Sequence, residues 1–160
     1  MKGTMSPEQS IELFEMLLFP IQKLIEMDNE MDKELSKYLI KEEENKYVDY
    51  ITNTKEIRSL QHKVYNYISS LIGNFAKIPE NNTEFSFINS YKNTVKIFEQ
   101  HYSKFYSKII SLIEKEELND YEKSYFNNNF HKSNDKIDKS ISDFYTNAEN
   151  YAEKYDIEII

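Results

Sequence analysis

The chain has no cysteine and no tryptophan, and only two of its 160 residues are glycine and three are proline. Without cysteine the protein has no disulfide, no thiolate zinc site and no cysteine nucleophile. All-β folds use glycine and proline in their many turns, so the scarcity of both favours long helices joined by few turns. Gly3 and Gly73 alone also cannot form a glycine-rich phosphate-binding loop.

Long hydrophobic runs are missing as well. The longest apolar run extends from Met16 to Ile21, whereas a membrane-spanning helix needs about 20 apolar residues. Glu8, Glu12 and Glu15 interrupt what would otherwise be the core of a signal peptide. We therefore expect a cytoplasmic protein that does not contact membranes.

The chain does contain a regular helical pattern, which is clearest between residues 88 and 112. Alternating steps of three and four residues meet an apolar or aromatic side chain every time: Ile88, Tyr91, Val95, Phe98, Tyr102, Phe105, Ile109 and Leu112. We call these eight residues the central seam. Such spacing is typical of a helix that packs lengthwise on other helices, as in a coiled coil, so the rest of the chain must cover it.

A second seam follows Ser6, which forms a capping box with Gln9 at the start of a helix. Its members are Phe14, Leu17, Ile21, Leu24, Asp28, Met31, Leu35 and Tyr38. Pro20 removes one backbone hydrogen bond inside this helix, so we expect a kink there. The charged Asp28 either sets the register of the helices or indicates that the helix rotates after the kink, and we favour rotation.

Two further seams complete the pattern. They consist of Tyr50, Ile57, Val64, Ile68, Leu71, Phe75 and Ile78 in one helix, and Ile137, Ile141, Phe144, Ala148, Tyr151 and Tyr155 in the other. The turn before the first of them lies between residues 42 and 53, where Asn53 and Glu56 form an alternative capping box. Asn119 and Glu122 suit a further helix start, and the asparagines at 127–129 indicate a break or a frayed turn.

These four seams predict one all-α domain over residues 1–160. Because the seams are long and the links short, we expect an antiparallel up-down-up-down four-helix bundle. A three-helix array with one long kinked pair is the alternative.

The net charge of −8 is sorted by helix. Residues 8–44 carry four lysines against eleven acidic residues, and residues 114–158 carry six against twelve. Residues 46–78 and 91–113 are both net basic. The acidic first and last helices could steer the protein onto a basic partner, or they could simply keep it soluble. We expect no nucleic-acid binding, since the whole molecule repels phosphate and arginine occurs once.

No pattern of catalytic or metal-binding residues is present. His62, His101 and His131 occur outside any Glu-x-x-His motif, which di-metal bundles require. His131 and Asp135 could share a ligand, but one pair does not make a metal site. We therefore expect neither an enzyme, a metal site nor a cofactor, and we expect His101 to be a packed or half-exposed side chain.

Apolar residues outside the seams are the unusual feature. Met16 and Phe19 point outward and Leu18 flanks the seam, so we predict that these three bind a partner together with Glu12 and Glu15. The central helix has a similar excess at Tyr106, Ile110 and Ile113. Alternatively, Ile157, Ile159 and Ile160 fold over Met16 and Phe19 as a lid.

The sequence thus predicts a non-enzymatic bundle that docks a basic or helical protein, as an inhibitor, immunity or escort protein does. A self-assembling structural protein, whose copies pair acidic with basic faces, is the alternative. A bundle that binds a small ligand is a third hypothesis, and it requires a cavity.

Overall fold

The computed structural model describes residues 5–43, 48–80, 82–114 and 119–158, with the backbone alone at 37–43, 48–54, 82, 123 and 125–131. Within them the chain forms five α-helices and no strand. The helices are α1 (Pro7–Glu43), α2 (Val48–Gly73), α3 (Phe85–Gln100), α4 (Tyr106–Ile113) and α5 (Asp120–Lys154). A π-helix, His101–Phe105, joins α3 to α4, so these three elements form one rod that we call the central helix. The predicted all-α class is confirmed.

Capping boxes are present at two of the predicted helix starts. The Ser6 amide donates to Gln9 Oε1 at 3.0 Å, and the Gln9 amide donates to Ser6 Oγ at 3.1 Å. At the start of α5, Asn119 and Glu122 exchange the same two bonds at 2.8 and 3.2 Å. Side chains here satisfy backbone amides that have no partner within the helix.

Two predicted boundaries are wrong. Asn53 lies inside α2, which begins at Val48, so it does not start a helix. Helix α5 runs through residues 127–129 without the predicted break, because asparagine lowers helix propensity by less than about 1 kcal/mol per residue and packing elsewhere along the helix outweighs that cost. Helix α1 ends at Glu43 and α2 begins at Val48, which agrees with the range predicted for the first turn, and residues 44–47 lie outside the described part of the chain.

Most described members of the predicted seams are buried. Phe75, Ile78, Ile141 and Tyr155 are half-buried, and the first two lie beyond the end of α2 at Gly73. All eight residues of the central seam are buried, none being more than 8% exposed. An aromatic cluster continues it towards the start of α1, where the ring centroid of Phe87 lies 4.7 Å from that of Tyr151 and 5.7 Å from that of Phe144. Phe14 stacks on Tyr151 at 6.1 Å. Each fully buried side chain of this size contributes about 1.5 to 3 kcal/mol.

The predicted rotation of α1 after Pro20 is wrong. The helix continues through Pro20, and Met31 and Leu35 stay fully buried on the same side as Leu17. Asp28 remains on the seam because Tyr102 gives it a hydrogen bond there.

The central helix was expected to carry apolar residues beyond those its neighbours can cover, and this prediction is also wrong. Tyr106, Ile110 and Ile113 are all buried. A π turn holds one residue more than an α turn, so the positions that face the core shift by one residue after the π-helix. Tyr106, Ile110 and Ile113 therefore face the core as well. They lie beside the seam residues Phe105, Ile109 and Leu112. The extra apolar side chains are therefore core residues rather than a surface patch.

Candidate docking face and polar core

The outward side of α1 carries three large exposed apolar side chains. Phe19 is 53% exposed, Ile11 45% and Met16 42%. Glu12 and Glu15, also exposed, lie two turns and one turn before Phe19 on the same side of the helix. We call Ile11, Glu12, Glu15, Met16 and Phe19 the α1 face. It combines apolar contact area with negative charge.

Four of the five residues predicted to bind a partner lie on this face, and Leu18 does not. Leu18 is 5% exposed and belongs to the core. Helix α1 packs against α2, α3 and α5, so its buried side is wider than a two-helix seam and includes this flanking position. Ile11 was missed, although it is an apolar residue outside the seam like Met16 and Phe19.

The predicted lid falls largely outside the described residues, since Ile159 and Ile160 are not among them. Ile157 is half-buried and packs against the core. Among the described residues nothing covers Phe19 or Met16 enough to bury either side chain. The lid formed by Ile159 and Ile160 stays a prediction.

A groove of about 520 Å³ beside Phe19 extends the α1 face towards α2. Glu26, Glu30 and Lys63 contribute to its lining. Lys23 also lines it, and its Nζ lies 4.9 Å from the centroid of the Tyr67 ring. A partner side chain that contacts Phe19 would therefore lie next to a groove lined by charged residues.

A layer of polar side chains crosses the core at the π-helix. The Tyr102 hydroxyl donates to Asp28 Oδ1 at 2.5 Å, and the Tyr106 hydroxyl donates to Asp32 Oδ1 at 3.0 Å. Burial raises the pKa of Asp28 to about 7, although the bond from Tyr102 acts in the opposite direction. Burial also raises the pKa of Asp32, and Asp138 adds to both shifts through like-charge repulsion.

Gln61 joins α2 to this layer. Its Nε2 donates to the Tyr102 carbonyl and to Ser107 Oγ, both at 2.9 Å. A π-helix changes the i→i+4 pairing of backbone groups, and the buried amide of Gln61 supplies a donor to one carbonyl within it. The sequence marks Gln61 only as a polar residue on an apolar seam, and nothing in the sequence predicts the π-helix that it serves.

His101 is packed as expected, at 3% exposure. It stacks on Phe105 with ring centroids 4.8 Å apart, and its Nδ1 shares a hydrogen bond with the Ser133 hydroxyl. Burial lowers the pKa of His101 to about 3, so the imidazole is neutral at physiological pH. His62 is exposed, and the side chain of His131 lies outside the described residues.

Across the described residues, no group of three or more histidine, aspartate or glutamate side chains is placed to hold a metal ion. In the same part of the chain, no helix combines the length and the apolar character that a membrane crossing requires. Comparison with known proteins found no family model, no curated protein and no solved structure that matches the chain.

Proposed function

We propose that this protein acts by binding another protein through the α1 face, without catalysis. The observation that carries the proposal is the exposure of Phe19, at 53%, beside the exposed carboxylates of Glu12 and Glu15. Large exposed apolar side chains grouped within a charged surface mark interaction sites in soluble proteins. Aromatic residues also tend to supply most of the affinity once they are buried in an interface.

Charge complementarity selects the kind of partner. The chain carries a net charge of −8, and Glu12 and Glu15 place negative charge directly beside the apolar contact residues. Such a surface attracts a basic protein over distances of about 10 Å at 0.1 M salt. The groove beyond Phe19 holds Glu26 and Glu30 but also Lys23 and Lys63, so the negative charge for a basic partner comes from Glu12 and Glu15. The proposed partner is a protein rather than a nucleic acid, because these carboxylates repel phosphate.

A non-enzymatic role agrees with the part that the polar core plays. Asp28 and Asp32 each accept a hydrogen bond from a tyrosine of the central helix, so both carboxyl groups connect α1 to that helix. We also propose a cytoplasmic location, since a chain without cysteine gains nothing from an oxidising compartment.

We propose an antiparallel up-down-up-down arrangement of α1, α2, the central helix and α5. Support comes from contacts between helices. Along the contacts between the central helix and α5, residue numbers increase in one helix while they decrease in the other. The pairs are Phe87 with Tyr151, Thr94 with Ser140, and His101 with Ser133. Those between α1 and the central helix rise together: Phe14 with Phe87, and Asp28 with Tyr102. Alternating helix directions produce this pattern. The kink at Pro20 stays a prediction.

The test compares proteins captured from the native host by three baits: wild type, Phe19→Asp and Phe85→Asp. Phe85 is 64% exposed at the start of α3, so it is a matched aromatic control away from the α1 face. We expect a basic protein to be retained by wild type and by Phe85→Asp and lost by Phe19→Asp. Retention of the same proteins by all three baits would contradict the proposal.

Self-assembly is the second candidate, favoured by the sorting of acidic and basic residues among the helices. Copies that pair through charge should separate as salt screens the attraction. Light scattering of the pure protein would show a fall in mass with added salt under this alternative. Under the docking proposal the mass stays constant.

A further inference from the structure

A second surface feature, separate from the α1 face, lies where the central helix packs against α5. A cleft of about 460 Å³ opens between the segment around the π-helix and α5. Ile97 and Phe105 form an apolar part of its wall, and His101 lines it beside them. This volume lies in the range of about 300 to 1,000 Å³ that is typical of small-molecule sites.

Three lysines surround the cleft. Lys104 comes from the π-helix, and Lys132 and Lys136 come from positions i and i+4 on one side of α5. All three side chains are exposed, and none forms an ion pair with a residue that the structure describes. Asp135 also lines the cleft, so positive charge exceeds negative charge here although the chain as a whole is acidic.

His101 lies in the wall of the same cleft. Nε2 of this 3% exposed side chain is buried and has no hydrogen-bond partner within the described part of the chain. Nδ1 is already engaged by Ser133, another residue of the cleft. Buried polar atoms are normally paired with protein or water. Three ammonium groups that form no ion pair with a described residue thus surround a cleft whose wall includes His101, and one ring nitrogen of that histidine is buried without a partner among the described residues.

We propose that this cleft binds a small molecule that carries a phosphate or pyrophosphate group. The ammonium groups of Lys104, Lys132 and Lys136 bind the phosphate oxygens, since charge-assisted hydrogen bonds to phosphate are strong. Ile97 and Phe105 contact the uncharged part of the ligand. The site is separate from the α1 face, so either proposal can fail without the other.

The first test is calorimetric titration of the full chain with inorganic pyrophosphate. Wild type should bind with saturation, and the double variant Lys132→Gln, Lys136→Gln should bind about tenfold more weakly, as the loss of two exposed ion pairs implies. The matched control is Lys23→Gln, Lys63→Gln, which changes the net charge equally but lies at the groove beside Phe19. This control should bind pyrophosphate like wild type.

Asp135→Asn gives a prediction of opposite sign. It removes the carboxylate that repels an anion in the cleft, so pyrophosphate should bind several-fold more tightly. Because the four lysines and Asp135 are exposed, circular dichroism should show wild-type folding for every variant. The proposal is overturned by an absence of saturable binding at millimolar pyrophosphate, or by equal weakening in both lysine pairs, which would indicate general charge attraction.

Discussion

The hydroxyl of Tyr102 donates a 2.5 Å hydrogen bond to the carboxylate of Asp28, joining the π-helix to the middle of α1. One turn further along both helices, Tyr106 and Asp32 form the equivalent bond at 3.0 Å. Apolar seams alone tolerate sliding by a turn, whereas two directed bonds are satisfied together in one register only. Buried polar residues are known to fix helix register in this way.

Stability should fall as pH rises because of Asp28. Burial raises its folded-state pKa from 3.8 to about 7. Between these values the folded protein holds a proton that the unfolded chain releases, which favours unfolding as pH increases. Asp28→Asn keeps an oxygen acceptor for Tyr102 and cannot ionise. We expect it to equal wild type near pH 4 and to exceed it by about 2 kcal/mol or more at pH 8, measured by urea unfolding.

The quantity to compare is the difference in unfolding free energy between Asp28→Asn and wild type at each pH. His101 acts in the opposite direction, because burial lowers its pKa from 6.5 to about 3 and stability is lost as pH falls through that range. His101 is present in both proteins, so its effect cancels in the difference. Asp143→Asn, at an exposed position, is the matched substitution. Parallel pH curves for Asp28→Asn and wild type would contradict the assignment.

Removing the amide of Gln61 should destabilise the fold. In Gln61→Leu the Tyr102 carbonyl loses the donor that now lies 2.9 Å away, inside the core. An unsatisfied buried group costs about 1 to 3 kcal/mol. Chemical unfolding should show this loss, while Gln100→Leu, the same change at an exposed position, should change stability by less than about 0.5 kcal/mol. Equal small effects would mean that the bond from Gln61 does not stabilise the π-helix.

Leu18 and Phe19 are neighbours with opposite environments, at 5% and 53% exposure. Leu18→Asp buries an unpaired carboxylate and should reduce stability by more than about 3 kcal/mol. Phe19→Asp should leave the thermal midpoint nearly unchanged, since surface substitutions usually stay within about 0.5 kcal/mol. Thermal unfolding followed by circular dichroism measures both. A large loss in Phe19→Asp would show that the side chain is covered, as the lid hypothesis requires.

The sequence predicted the parts of the fold that periodicity determines. Every member of the central seam is buried. A 3.5-residue apolar repeat places all its side chains on one side of a helix, and that side has to pack against other helices. It failed where tertiary packing decides. The π-helix has no sequence signal, so the burial of Tyr106 could not be anticipated, and Leu18 is buried because three helices surround α1. Asp28 was interpreted as a rotation because its partner, Tyr102, lies 74 positions away.

The two candidate sites differ in how far the sequence alone could predict them. Met16 and Phe19 could be recognised from the sequence, since an apolar residue outside the seam of an amphipathic helix has to face solvent or a partner. The cleft lined by Lys104, Lys132 and Lys136 could not be recognised in this way, because Lys104 and Lys136 become neighbours only when α5 packs on the central helix. The sequence places Lys132 and Lys136 on one side of α5, but only the packing of the helices brings Lys104 beside them.

Photo-crosslinking from position 19 in the native host tests the docking proposal most directly. p-Benzoylphenylalanine replaces Phe19 in one variant and Phe85 in a second, and both exposed sites accept the larger ring. The account predicts one dominant adduct with a basic protein from position 19 and none from position 85. No adduct at position 19, equal adducts at both positions, or an adduct of twice the chain's own mass would contradict it.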